Sequence, residues 1–172
     1  MEGSFPLPGD DGDLQVLKRL AAHLLPGQRS SKKHGWRPSG PEIVEGFVKE
    51  LLRIDELDIE QARKSQEAVK RGTTVQGYIV RIQSGTNVNY YVVLDLLKYI
   101  APTIIGALDL LLKLHLSYNV KYTYECGVFY TFLQRVLLEV ETDFDLPNTK
   151  LYLLENKVRQ QSLIKCSSAG SA

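Results

Sequence analysis

The stretch Gln76-Gly77-Tyr78-Ile79-Val80-Arg81-Ile82-Gln83-Ser84-Gly85-Thr86-Asn87-Val88-Asn89-Tyr90-Tyr91-Val92-Val93-Leu94 decides the fold class. Tyr78, Val80 and Ile82 alternate with Ile79 and Arg81, a period of two, and a second β-rich run spans Val88 to Leu94. Between them Ser84-Gly85-Thr86-Asn87 supplies a four-residue reversal containing glycine, so the pattern predicts a β-hairpin. A lone hairpin is marginal in water. These strands must therefore pack on helices or join another strand.

On the C-terminal side the period changes to that of a helix. Pro102 opens the most apolar segment, where Ile104, Ile105, Leu108, Leu111, Leu112 and Leu116 share one face. Leu110 and Leu114 widen that face beyond a single stripe, which predicts a central, buried helix. Ser117-Tyr118-Asn119 breaks it, and a further helix is predicted from near Thr123 to Val140. Asp145-Leu146-Pro147 punctuates, and a last helix turns Leu151, Leu154 and Val158 inward.

On the N-terminal side, Asp13 can cap a short helix whose apolar positions are Leu14, Leu17, Leu20, Ala21, Leu24 and Leu25, with Pro26-Gly27 as its stop. Pro41 suits the first turn of a second helix, capped by Ser39 or Gly40. Ile43, Val44, Phe47, Val48, Leu51 and Leu52 read as its single stripe. A solvated third helix follows from about Asp58 to Gly72, laced with Glu60–Lys64 and Glu67–Arg71 pairs. The resulting expectation is an α+β protein, mainly helical, with one β-hairpin packed on a helical bundle. Its organisation reads as a disordered leader at 1–12, an N-terminal helical subdomain at 13–72 with a basic loop at 26–40, an α+β module at 73–166, and a frayed tail at 167–172.

Composition limits the function classes. With 172 residues the chain suits one domain with a real core and needs no disulfide or metal staple. Lys and Arg number 21 against 20 Asp and Glu, so no global positive excess supports nucleic-acid binding; only a local patch does. The segment Ile104 to Leu116 is interrupted by Asp109 and Lys113 and falls short of the ~20 residues of a bilayer span. With no basic n-region or apolar h-region at the start, an intracellular, non-membrane protein is expected. Cys126 and Cys166 match no framework and read as reduced thiols.

Catalytic signals are weak. His23, His34 and His115 show no metal-ligand spacing. Cys126 and His115, in neighbouring helices, are the one nucleophile–base pair to consider, and nothing in the sequence orients the histidine or activates the thiol. The carboxylates Glu139, Glu141, Asp143 and Asp145 lack the glycine and bidentate Glu of a calcium loop and read as a solvated turn. Asp109 stands four residues before Lys113, which makes an ion pair its simplest role. No phosphate-binding glycine loop or nucleophile elbow occurs, and neither cofactor nor metal is expected.

Two features point to binding. The loop from 28 to 37 carries Arg29, Lys32, Lys33 and Arg37 with no acid, and Trp36 is available to stack on a base. That makes nucleic acid the second partner to consider. Nine tyrosines, nearly all in the C-terminal half, supply large apolar bodies with polar tips, the chemistry of core edges and protein interfaces. Tyr90, Tyr122, Tyr124 and Tyr130 are the candidates for a protein partner. A non-enzymatic interaction module is the leading expectation.

Residues 76 to 145 also show a recurring order: a strand ending Tyr90-Tyr91-Val92-Val93-Leu94-Asp95, the helix Gly106–Leu116 with Tyr118-Asn119 behind it, then Phe129-Tyr130-Thr131-Phe132-Leu133-Gln134-Arg135. This resembles the C-terminal region of uncharacterised animal proteins labelled sterile alpha motif domain-containing protein 3-like, many of them mobile-element derived. Asp95, Tyr118 and Phe132-Leu133-Gln134 are the matching positions. Asn119 replaces the group's usual proline, and residues 13–72 lack a sterile alpha motif pattern. The resemblance implies a shared α+β module, not an activity; a nucleic-acid-associated protein derived from a mobile element, binding through the loop 28–37, is the second expectation.

Overall fold

The computed structural model of the chain describes residues 9–24, 38–71, 75–84, 87–95, 97–145 and 148–169. In chain order its elements are α1 (Asp10–His23), α2 (Gly40–Phe47), β1 (Val48–Leu51), α3 (Glu56–Arg71), β2 (Tyr78–Ser84), β3 (Asn87–Leu94), β4 (Leu97–Ala101), α4 (Ile104–Tyr118), α5 (Gly127–Leu133), a π-helical turn (Gln134–Leu138) and α6 (Thr149–Ala169). The architecture is mainly helical α+β, as expected, and no helix of the described residues is long and apolar enough to cross a membrane.

The hairpin forms as β2 and β3, paired from Tyr78↔Val93 to Ser84↔Asn87. It is the middle of a four-stranded mixed sheet ordered β1-β2-β3-β4, which corrects the single-hairpin expectation. β1 was hidden inside an apparent helix. Ser39 and Glu42 close a capping box at the start of α2, and Ile43 and Phe47 continue its buried face. From Val48 the backbone leaves the helix and runs parallel to β2, from Val48↔Ile79 to Leu51↔Ile82. A four-residue run such as Val-Lys-Glu-Leu carries too little period to separate helix from strand; the pairing partner decides.

β4 occupies residues between Leu94 and Pro102 to which the sequence pattern assigns no element. Asp95 takes a φ of 53°, the left-handed conformation that a two-residue reversal between Leu94 and Leu97 requires and that aspartate tolerates. β4 then runs antiparallel to β3 from Leu94↔Leu97 to Tyr90↔Ala101. Thr103, not Pro102, caps α4, its hydroxyl accepting from the Gly106 N–H at 3.1 Å. Asn119, at φ 50°, ends that helix, and the Val120 N–H returns to the His115 carbonyl.

Both sheet faces are covered. Ile79, Tyr90 and Val92 point into the larger core with residues of α1, α2, α4, α5 and α6, among them Leu14, Phe47, Leu108, Phe129 and Leu151. Residues assigned to an N-terminal subdomain and to a C-terminal module thus share one core. Tyr78, Val80, Ile82 and Val93 face the other way, where Leu57 of α3 covers them. Two element ends also differ from expectation. α1 begins at Asp10, inside the stretch read as a leader, because Asp10 accepts from the Tyr90 hydroxyl and from the Ile104 N–H at the head of α4. The helix expected from Thr123 to Val140 is α-helical only from Gly127, widens into the π turn at Gln134, and ends where Glu139 adopts φ 55°.

Candidate interaction surface

The four tyrosines considered for partner contact occupy unequal positions. Tyr90 is fully buried with its hydroxyl on Asp10, and Tyr130 is fully buried with its hydroxyl 3.3 Å from the Phe47 carbonyl. In this fold neither has surface to offer. Tyr122 is half-buried and donates to Gln134 Oε1 at 2.8 Å, and its ring stacks on Tyr130 with centroids 5.0 Å apart. Tyr124 is half-buried on the same connection. Tyr122 and Tyr130 belong to an aromatic cluster with Phe47, Phe129 and His115, which accounts for these two tyrosines as packing. Arg29, Lys32, Lys33, Trp36 and Arg37 lie outside the described residues.

The polar constellations resolve into ordinary roles. Cys126 is a free, fully buried thiol held 2.7 Å from the Thr123 hydroxyl, and burial pushes its pKa up to about 12. A thiol so far from ionisation is a poor nucleophile. Burial lowers the pKa of His115, whose Nδ1 is tied to the Leu111 carbonyl at 2.9 Å. Asp109 pairs with Lys113 at 2.6 Å. Of the acidic turn, Glu141 and Asp145 both face Arg135, which also meets Glu155 at 2.9 Å. No group of three or more potential metal ligands occurs among the described residues. The open depression between α1, α2 and β1 places its charges in pairs, Lys18 with Glu50 and Lys49 with Glu45.

A different feature stands out at the sheet's edge. β4 pairs with β3 alone, so its outer side carries backbone groups with no strand partner among the described residues. Side chains alternate along it. Tyr99 and Ala101 turn to the α4 face with Leu97, while Lys98 and Ile100 turn to the α3 face beside Val93 and Tyr91. Ile100 is 69 % exposed and Leu97 48 %. Lys98 forms an ion pair with Asp58, which brings the first turn of α3 against the strand, and the next residue, Ile59, is 71 % exposed. Beyond the strand's other end, Ile105 in the first turn of α4 is also half exposed. An unpaired edge is thus flanked by exposed apolar side chains on β4 and on the helices covering each face. None of these was among the candidates read from the sequence. The alternation Leu97-Lys98-Tyr99-Ile100-Ala101 behind Asp95 was the available signal.

No family model, curated protein or solved structure matches this chain.

Proposed function

We propose that this protein is a non-enzymatic interaction module that takes an extended segment of a partner protein along the outer edge of β4. The observation that carries this reading is the combination of an unpaired strand edge with exposed Leu97, Ile100 and Ile59 beside it. Backbone hydrogen bonds from the edge give affinity to any extended chain, and alternate side chains give it selectivity. Isolated exposed apolar residues need no explanation, but a row of them along an open edge invites pairing unless a partner covers it. The single charge on the strand, Lys98, is engaged by Asp58 and offers little protection.

The test is photo-crosslinking in cells from a reactive residue placed at 97 or 100, with and without Ile100→Lys in the position-97 probe. Position 100 is exposed enough for the lysine to leave folding intact while adding a charge that opposes strand addition. A defined protein adduct at both positions, lost with Ile100→Lys, is the expected result. Absence of a specific adduct, or one indifferent to the lysine, refutes the reading. An adduct lost on nuclease treatment instead favours the nucleic-acid role of Arg29, Lys32, Lys33, Trp36 and Arg37.

A further inference from the structure

Behind the C-terminal end of α4 lies a small cavity of about 30 Å³, whose lining includes His115, Asn119, Val120, Tyr122, Gln134 and Thr142. His115 is only 2 % exposed, so the hydrogen bonding of both ring nitrogens matters. Its Nδ1 stands 2.9 Å from the Leu111 carbonyl, which can only accept, so Nδ1 carries the proton. Burial holds the ring neutral, and Nε2 is then a lone-pair acceptor. That atom is buried and has no hydrogen-bond partner among the described residues.

The side-chain protons of Tyr122, Gln134 and Thr142 at the cavity are already committed. The Tyr122 hydroxyl donates to Gln134 Oε1 at 2.8 Å. Gln134 Nε2 donates to the Val140 carbonyl at 3.0 Å and to Asp145 at 3.2 Å. The Thr142 hydroxyl donates to Asp145 at 2.8 Å. The two hydroxyls and His115 Nε2 therefore present lone pairs and no spare proton. A molecule matched to such a site brings its own protons. Size narrows the choice, since one water needs roughly 10–15 Å³ and 2–4 polar partners, and about 30 Å³ has room for a water or two but for no organic guest.

We propose that the cavity is a binding site for one internal water, which donates to His115 Nε2 and to the hydroxyl oxygen of Tyr122 or Thr142. The water joins α4 to the Gln134-centred network that holds the 140–145 loop. It is independent of the β4 edge.

Water-selected NOE and ROE spectra of the labelled protein test the site. Cross-peaks from a water that tumbles with the protein are expected at the His115 ring protons and the Val120 methyls. His115→Phe should abolish those to Val120. A long-range ¹H–¹⁵N correlation should show Nδ1 protonated and Nε2 accepting a hydrogen bond. Absence of a long-lived water signal in the folded wild type overturns the proposal. So does a ring protonated at Nε2, or cross-peaks to Val120 that persist unchanged in a folded His115→Phe variant.

Discussion

Gly77, just before β2, packs directly against α4. A Cβ built on its backbone would lie 2.7 Å from His115 Cε1, 2.8 Å from Leu111 Cδ1 and 3.2 Å from Leu94 Cδ1. The first two distances are inside any normal carbon–carbon contact. Both neighbours belong to buried side chains on a helix that packs across the sheet, so neither moves without disturbing the core. Adding one methyl to a well-packed interior costs about 1–3 kcal/mol. Replacing glycine also stiffens the unfolded chain, which stabilises by roughly 0.4–1 kcal/mol. Gly77→Ala should therefore destabilise by about 1–2 kcal/mol net, lowering Tm by about 2–8 °C in a domain this size. Guanidinium unfolding followed by far-UV circular dichroism measures it. Gly40→Ala supplies the baseline, because its Cβ meets nothing within 4 Å, and should be neutral or slightly stabilising. His115→Ala combined with Gly77→Ala removes the nearest clash but leaves Leu111 in place. The double variant should then be less destabilised than the sum of the singles, with a coupling of about 1 kcal/mol. A neutral Gly77→Ala, or strictly additive singles, would refute the close approach of β2 to His115.

Two further outcomes follow from buried titrating groups. The folded-state pKa of His115 lies below its ordinary value through burial, opposed by the Leu111 hydrogen bond, and the rings packed on it are Tyr122 and Tyr130, with Asp145 acting beyond on Tyr122. Gly77, Leu94 and Leu111, on its other sides, bring no charge. Between that lowered pKa and the unfolded value near 6.5, the unfolded chain binds more protons, so stability rises with pH through this window and the histidine term is flat above it. Unfolding free energies measured from pH 5 to 8 should show this slope, and His115→Phe should remove it; an unchanged slope counts against the buried neutral ring. Cys126, with its thiol pushed up to about 12, should resist iodoacetamide in the native protein and react only on unfolding, as peptide mapping would reveal. Native-state labelling as fast as that of an exposed thiol would contradict its burial.

What the amino-acid sequence determined by itself was local. The alternation from Tyr78 to Leu94, the apolar faces of α1 and α4, the capping box of Ser39 and Glu42 and the stop at Asn119 each follow from periods and dihedral preferences expressed within a few residues. The tertiary structure decided what local pattern leaves open. Val48–Leu51 continues the helical stripe of α2 as well as it pairs with β2, and only the neighbouring strand's backbone chooses. The start of α1 depends on Asp10 reaching Tyr90 and Ile104, 80 and 94 residues away. Burial separated the tyrosines, enclosing Tyr90 and Tyr130 while leaving the unexpected Leu97 and Ile100 at the sheet's edge. Exposure and strand pairing are properties of the assembled sheet, set by contacts between segments distant in the chain, and so the candidate surface could be recognised only after those segments had been placed together.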